Sequence, residues 1–261
     1  MSWNPQQYLQ FEDHRLRPAG DLLARIAQSA PRAVVDLGCG AGNVTRLLAL
    51  RWPDAQIVGV DNSPEMLAKA RAATADVPRV RFAAGDLATW APEAPVDVVY
   101  SNAALHWLPA HDALFARVIA MVAAGGTLAV QMPDNFHAPS HTAIAELAQS
   151  PRWRARLGSL VRDAPVAAAA DYFRWLAPAA RTLDIWTTEY LQVLPKSDGG
   201  DHPVAAWTKG TWLVPFMAAL DADAQRAFGA DYNARLAHAY PPLPDGRILF
   251  PFRRVFIVAN R

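Results

Sequence analysis

The run Ala33-Val34-Val35-Asp36-Leu37-Gly38-Cys39-Gly40-Ala41-Gly42-Asn43 constrains the fold of this chain more than any other stretch. Its first five residues, apolar except for Asp36, have the length and composition of a buried strand. Glycines follow at positions 38, 40 and 42, and a helical pattern of Val44, Leu47 and Leu48 begins at once. A strand, a glycine turn and a helix N-terminus in direct succession make a platform where a ligand can lie against bare backbone. Asp36 puts a carboxylate just ahead of the turn, which suits a cation and opposes a phosphate.

The glycine spacing separates two ligand classes. A dinucleotide turn reads G-x-G-x-x-G. Counted from Gly38, its third glycine would fall at position 43, which is Asn43. The pattern here is D-x-G-x-G-x-G. It resembles the first motif of the class I methyltransferases, whose S-adenosyl-L-methionine cofactor carries a sulfonium and no pyrophosphate. The plainer alternative is a tight turn with no ligand.

The rest of the N-terminal half alternates strand and helix patterns. A helix is expected from Pro18 to Gln28, then strands at Ala33–Leu37, Ile57–Val60, Arg79–Ala83, Val96–Tyr100 and Thr127–Gln131. Ser63 and Pro64 mark a helix start, and a helix from Ala113 to Val122 is expected to close at Gly125-Gly126. Beyond Asn135 the pattern turns helical, with strands at Ile185–Leu194 and at Ile248–Ala259, the latter broken by Pro251 and Arg253-Arg254. The expectation is an α/β fold: a mostly parallel, Rossmann-like seven-stranded sheet flanked by helices. One domain is expected over residues 1–261, with a helical cap at about 135–183 and 200–243.

Composition narrows the function. Of 261 residues, 25 are Lys or Arg and 24 are Asp or Glu, a formal charge of +1. That balance calls for neither nucleic acid nor an anionic membrane. Cys39 is the single cysteine, so no internal disulfide forms; in the turn it serves as a small apolar filler. No N-terminal apolar signal core and no apolar run of about 20 residues are present, which points to a cytoplasmic protein. Oligomeric state is left open.

Asp61 ends the second strand, where an acid can accept both hydroxyls of an adenosine ribose; the alternative is a cap for the helix after Asn62 and Ser63. Asp86 is placed for an adenine amino group with Leu87 against the ring, or is an ordinary turn residue. Met66 is an adenine contact or core. Asn102 and Ala103 follow the fourth strand, at the end of an open sheet where ligands bind, and suit the amino-acid end of the cofactor. Trp107 is an acceptor wall or a core ring, and His106 a contact or a surface residue. His137 and His141 read as solvated loop histidines, not metal ligands. No serine-hydrolase elbow or phosphate-binding loop occurs. Arg15, Arg17, Lys209, Arg247, Arg253 and Arg254 are the basic residues that matter for a carboxylate, and consecutive Arg253 and Arg254 must face opposite sides of a strand.

Several stretches together resemble the trans-aconitate 2-methyltransferase family nearly end to end: Trp3-Asn4-Pro5 with Tyr8, Arg15-Leu16-Arg17-Pro18, Asp36 to Asn43, Asn102 to Pro109, Gln131-Met132-Pro133-Asp134-Asn135, Asp184-Ile185-Trp186 and Phe252 to Ala259. The resemblance implies methyl transfer from S-adenosylmethionine to one carboxylate of a small polycarboxylic acid. Arg15, Arg17, Lys209 and Arg254 would hold the other carboxylates, and Tyr8, Trp107, Tyr190 and Trp212 would shape the wall. An ionised carboxylate needs no general base, so no catalytic acid or base is assigned. Two stretches depart from the family: Trp212-Leu213-Val214-Pro215 where Gly-Leu-Arg-Pro is expected, and Tyr190-Leu191-Gln192 where Tyr-Tyr-His is usual. Both bear on the acceptor rather than the cofactor. The other readings are a methyltransferase for another small acid or hydroxyl compound, and a non-catalytic nucleotide- or partner-binding domain.

Overall fold

The computed structural model describes residues 16–197 and 199–261. Its elements run α1 (Leu16–Ala24), β1 (Ala33–Leu37), α2 (Asn43–Arg51), β2 (Gln56–Asp61), α3 (Pro64–Ala73), β3 (Val80–Ala84), β4 (Val96–Asn102), a short 3-10 turn (Leu105–Trp107), α4 (His111–Ala120) and β5 (Val122–Pro133). They continue with α5 (Pro139–Gln149), α6 (Arg154–Leu157), α7 (Ala169–Leu176), β6 (Thr182–Leu194), α8 (Pro203–Lys209), α9 (Val214–Ala218), α10 (Ala222–Ala239) and β7 (Ile248–Asn260).

One seven-stranded sheet has the order β3-β2-β1-β4-β5-β7-β6. Strands β1 to β5 are parallel. β7 is antiparallel to β5: Gly125 N–H donates to Arg261 O, whereas Asp134 N–H donates to Arg253 O. The sheet order reverses between β1 and β4, so the ends of these strands form the switch point where open α/β sheets bind ligands.

Two compact units emerge. Among the described residues the first comprises 16–133, 165–188 and 255–261, and the second 134–164 and 189–254. Residues 165–183, expected to join the cap, therefore belong to the sheet unit. The first unit is built on Val34, Val35, Val98, Val99, Phe115, Val118 and Leu128, all fully buried. The Tyr100 hydroxyl, buried in the same core, donates to Ala19 O at 2.7 Å and ties β4 to α1. In the second unit Phe228, Tyr232 and Leu236 of α10 pack with α5, and Tyr232 O–H donates to Ser140 O at 2.7 Å.

Three local readings are corrected. Gly125-Gly126 do not close a helix but lie inside β5, which starts at Val122; a Cβ on Gly126 would sit 2.7 Å from Asp97 O. The ladder between β4 and β5 shifts register there, and close approach explains the glycine. β7 is unbroken at Pro251, because β5 ends at Pro133, level with Arg253. Past that point a missing donor interrupts no ladder with β5. The first helix is shorter than expected and ends at Ala24. Among the described residues no helix is long and apolar enough to cross a membrane.

Candidate functional site

In the first unit the three glycines all have positive φ, at 78°, 53° and 84°. A Cβ on Gly38 would fall 2.1 Å from Ala104 Cβ and 3.3 Å from Leu87 Cδ1. Bare backbone at Gly38 therefore lets the loops after β3 and β4 close on the turn. At Gly42 a Cβ would press on Ala70 of α3 at 3.0 Å. Gly40 alone has nothing among the described residues within 4 Å of its Cβ position. Gly42 is also the N-cap of α2 and brings no side-chain acceptor, so the first N–H groups of that helix are not capped by it.

Asp61 binds this turn to its neighbour. Its Oδ2 accepts from Gly40 N–H at 2.9 Å and its Oδ1 from Ser63 N–H at 2.9 Å. The capping role weighed from sequence is thus present. Each oxygen keeps a further lone pair for a hydroxyl. The helix start is as expected, with Ser63 Oγ accepting from Met66 N–H. Asn62 and Asn43 are exposed, and so is Met66 at 38%, which removes the core reading for Met66.

Asp36 is 1% exposed, and Thr45 O–H donates to its Oδ2 at 2.6 Å. Burial raises its pKa to about 7; the Thr45 hydrogen bond opposes that rise and the charge of Asp61 adds to it. A buried carboxylate that is only half ionised near neutrality is a ready partner for a cation. Burial pushes the Cys39 thiol up, which agrees with an inert filler.

β4 ends beside this turn, held by Ser101 O–H donating to Leu37 O at 2.8 Å. The next residue, Asn102, has a buried Oδ1 without a hydrogen-bond partner among the described residues. Ala103 is in the left-handed region at φ 54°, with its N–H on Gln131 O at 2.9 Å. A non-glycine residue held there is strain of the kind that collects at ligand sites. Trp107 is 51% exposed, so it is not a core ring; His106 is buried beside it, ring centroids 4.7 Å apart. Asp86 Oδ1 accepts from Ala88 N–H at 2.8 Å, the turn role considered for it, and Arg117 clamps the Leu87 and Trp90 carbonyls. The first unit thus gathers Asp36, Gly38, Gly40, Asp61 and Leu87 around one turn.

The second unit supplies the basic and aromatic residues. Arg254 is 5% exposed and lies over the Phe252 ring, Cζ 4.7 Å from its centroid. Arg253 faces outward and pairs with Asp134 at 3.0 Å, as the alternation of a strand requires. Tyr190 and Gln192 are buried on one face of β6, and Gln192 Oε1 has no hydrogen-bond partner among the described residues. Lys209 is engaged differently from the expectation. Its ammonium pairs with Asp201, itself held by Asn233 N–H, at the edge of a cavity of about 510 Å³. Trp207, two residues earlier on α8, packs on Phe250 and Phe252 of β7, so Lys209 points away from that strand. Arg17 is exposed on α1. Tyr8 and Arg15 lie outside the described residues.

Sequence reasoning missed the surroundings of Trp212. That ring is buried against Phe136 at 4.9 Å and His141 at 5.8 Å. His141 is no loop histidine: it is buried on α5, and loss of hydration lowers its pKa to about 4. Only the wide i, i+4 spacing to His137 was visible in the sequence, and it carries no information on the ring 71 residues away.

Comparison with known proteins accords with this architecture. Residues 34–126 match the family model described as a methyltransferase domain. The trans-aconitate 2-methyltransferase of Methylobacterium nodulans is 48% identical over 260 residues, covering 99% of this chain and 98% of its own length. That of Azoarcus sp. is also 48% identical and covers 100% and 99%. Among solved structures, the YcgJ protein of Bacillus subtilis superposes with a TM-score of 0.61 at 18% identity, over 94% of this chain and 98% of that one. Phosphoethanolamine N-methyltransferase 2 of Haemonchus contortus, in complex with S-adenosyl-L-methionine, gives 0.55 at 16% identity over 94% and 52%. The structural likenesses show a class I methyltransferase fold, and the full-length identity places this chain in the trans-aconitate 2-methyltransferase family.

Proposed function

We propose that the enzyme transfers a methyl group from S-adenosylmethionine to one carboxylate of trans-aconitate, giving a monomethyl ester. The observation that carries this reading is the 48% identity, over the whole chain, to relatives bearing that name. The near-neutral charge and the single cysteine accord with a small-molecule acceptor and a cytoplasmic setting.

The residues of the first unit fit the cofactor. Gly40 offers open backbone, Asp61 has spare lone pairs for the ribose hydroxyls, and Asn102 Oδ1 is a buried acceptor in need of a donor such as the cofactor ammonium. Asp36 would sense the positive charge, and Asp86 with Leu87 would receive the adenine. The cofactor supplies a methyl carbon activated by its own positive sulfur. The acceptor oxygen is already ionised at neutral pH, with a reference pKa of about 4. The protein therefore has no proton to move at the reacting atom. Its task is alignment of oxygen, carbon and sulfur, together with exclusion of water.

Arg254 is assigned to a spectator carboxylate, because a buried guanidinium stacked on a ring is suited to a charged fork. Arg254→Ala is expected to raise the acceptor KM at least about tenfold, the loss of one charged hydrogen bond. Steady-state kinetics with the acid varied would show it; an unchanged KM removes Arg254 from the acceptor site. Tyr190 is assigned to the wall of the acceptor site.

A mass-spectrometric acceptor screen tests the function itself. Trans-aconitate should gain one methylene while S-adenosylhomocysteine accumulates. Methylation confined to hydroxyl compounds, or none of any small acid, would reject the proposal. A hydroxyl compound as the preferred acceptor is the second reading, favoured by Gln192, whose buried Oε1 lacks a donor among the described residues and can accept from such a hydroxyl.

A further inference from the structure

Arg162 stands apart from most arginines of the second unit. Arg152, Arg156, Arg226, Arg235, Arg247 and Arg253 each pair with a carboxylate, and Arg154 donates to Gln149 O. Arg162 has no carboxylate partner among the described residues; its Cζ lies 4.3 Å from the centroid of the Trp212 ring. A guanidinium stacked on an indole keeps its N–H edge free while losing little side-chain entropy to further hydrogen bonding.

The platform under it is fixed. Trp212 is buried against Phe136 and His141, and His141 is neutral at physiological pH, so no second positive charge lies beneath the arginine. His141 Nδ1 and Ser140 Oγ are 3.0 Å apart, Asn135 Nδ2–H donates to Ser140 Oγ at 3.3 Å, and Arg253 N–H donates to Asn135 Oδ1 at 3.3 Å. A continuous chain of contacts therefore runs from β7, at the residue beside Arg254, through Asn135, Ser140, His141 and Trp212 to Arg162.

We propose that Arg162, held in place by Trp212, is a second cation that recognises a carboxylate of the acceptor and sets the preference for acids with several carboxylates. This rests on the acceptor reading given above. Trp212 would act as a positioning residue, through Arg162. The bulky ring at a position where the family was expected to have glycine thereby gains a use: it carries an arginine from elsewhere in the chain.

The test compares Arg162→Gln and Arg162→Lys with the wild type on acids bearing three, two and one carboxylates. Arg162→Gln should raise the KM for a tricarboxylate at least about tenfold. It should leave kcat, the S-adenosylmethionine Kd and the melting temperature unchanged. The wild-type preference for three carboxylates over two should collapse in this variant, and Arg162→Lys should restore part of it. An unchanged preference in Arg162→Gln would overturn the inference, as would an effect on kcat or cofactor affinity in place of acceptor KM. A wild type that esterifies trans-aconitate with an indifferent Arg162→Gln removes this inference alone. A wild type that esterifies no acid removes the acceptor reading and this inference together.

Discussion

Asp36→Asn is expected to raise the melting temperature of the unliganded protein at pH 8 and to weaken S-adenosylmethionine binding at least about tenfold. The carboxylate is buried and its pKa is raised to about 7 from 3.8. A raised pKa means that the folded state holds the proton more tightly than the unfolded one. The stability this gives is fully present below the unfolded value and is lost as pH rises through about 7. At pH 8 Asp36 is ionised in both states, and ionising it costs about 4 kcal/mol more in the fold than in the unfolded chain. An asparagine avoids that cost. It keeps an oxygen for the Thr45 hydroxyl but brings an amide N–H₂ that needs partners, at about 1–3 kcal/mol. The net gain is about 1–3 kcal/mol, or several degrees. Near pH 5 Asp36 is protonated in the fold, and the advantage should vanish. Cofactor affinity should follow the opposite course: in the wild type it strengthens as pH rises through about 7, and in the variant this dependence is absent. Melting curves and titration calorimetry from pH 5 to 8 check both. A variant that binds the cofactor as the wild type does at pH 8 would place Asp36 outside the site.

Substitutions at Gly38 and Gly40 should separate folding from binding. At Gly38 an alanine Cβ meets Ala104 Cβ at 2.1 Å, and φ is 78°. The left-handed conformation alone costs about 1–2 kcal/mol. Displacement of the Ala103–Ala104 loop adds to it, because Ala103 is itself held at positive φ. Gly38→Ala should therefore lower the melting temperature by several degrees and reduce cofactor affinity about a hundredfold, a change of about 3 kcal/mol. At Gly40 the added methyl meets no atom of the described residues within 4 Å. Only the conformational cost remains in the unliganded protein, so Gly40→Ala should melt within a few degrees of the wild type. The methyl would nevertheless occupy the space assigned to the ligand, and affinity should fall about as far as for Gly38→Ala. Normal cofactor affinity in Gly40→Ala would show that the ligand does not lie on that face.

The parts of the fold legible in the sequence are those set by local pattern. Val34 and Val35 before three alternate glycines announce a buried strand and a turn, and Ser63-Pro64 a helix start. Asp61 was legible as a strand-end acid, although its bonds to Gly40 and Ser63 were not. What escaped depends on partners distant in sequence. Lys209 looks like a free cation until Asp201 and Asn233 are brought to it. His141 looks solvated until Phe136 and Trp212 close over it. Pro251 looks like a strand breaker until β5 is seen to stop short of it. Asn102 drew notice only for its place after β4; the orphaned Oδ1 that gives it a task is a property of burial.

A crystal structure with S-adenosylhomocysteine and trans-aconitate bound would test the account most directly. It should show the ribose hydroxyls on Asp61, the ammonium on Asn102 Oδ1, backbone of Gly40 against the ligand, and a carboxylate of the acid on Arg254. A nucleoside seated away from the glycine turn, or an acid that leaves Arg254 without a contact, would contradict it.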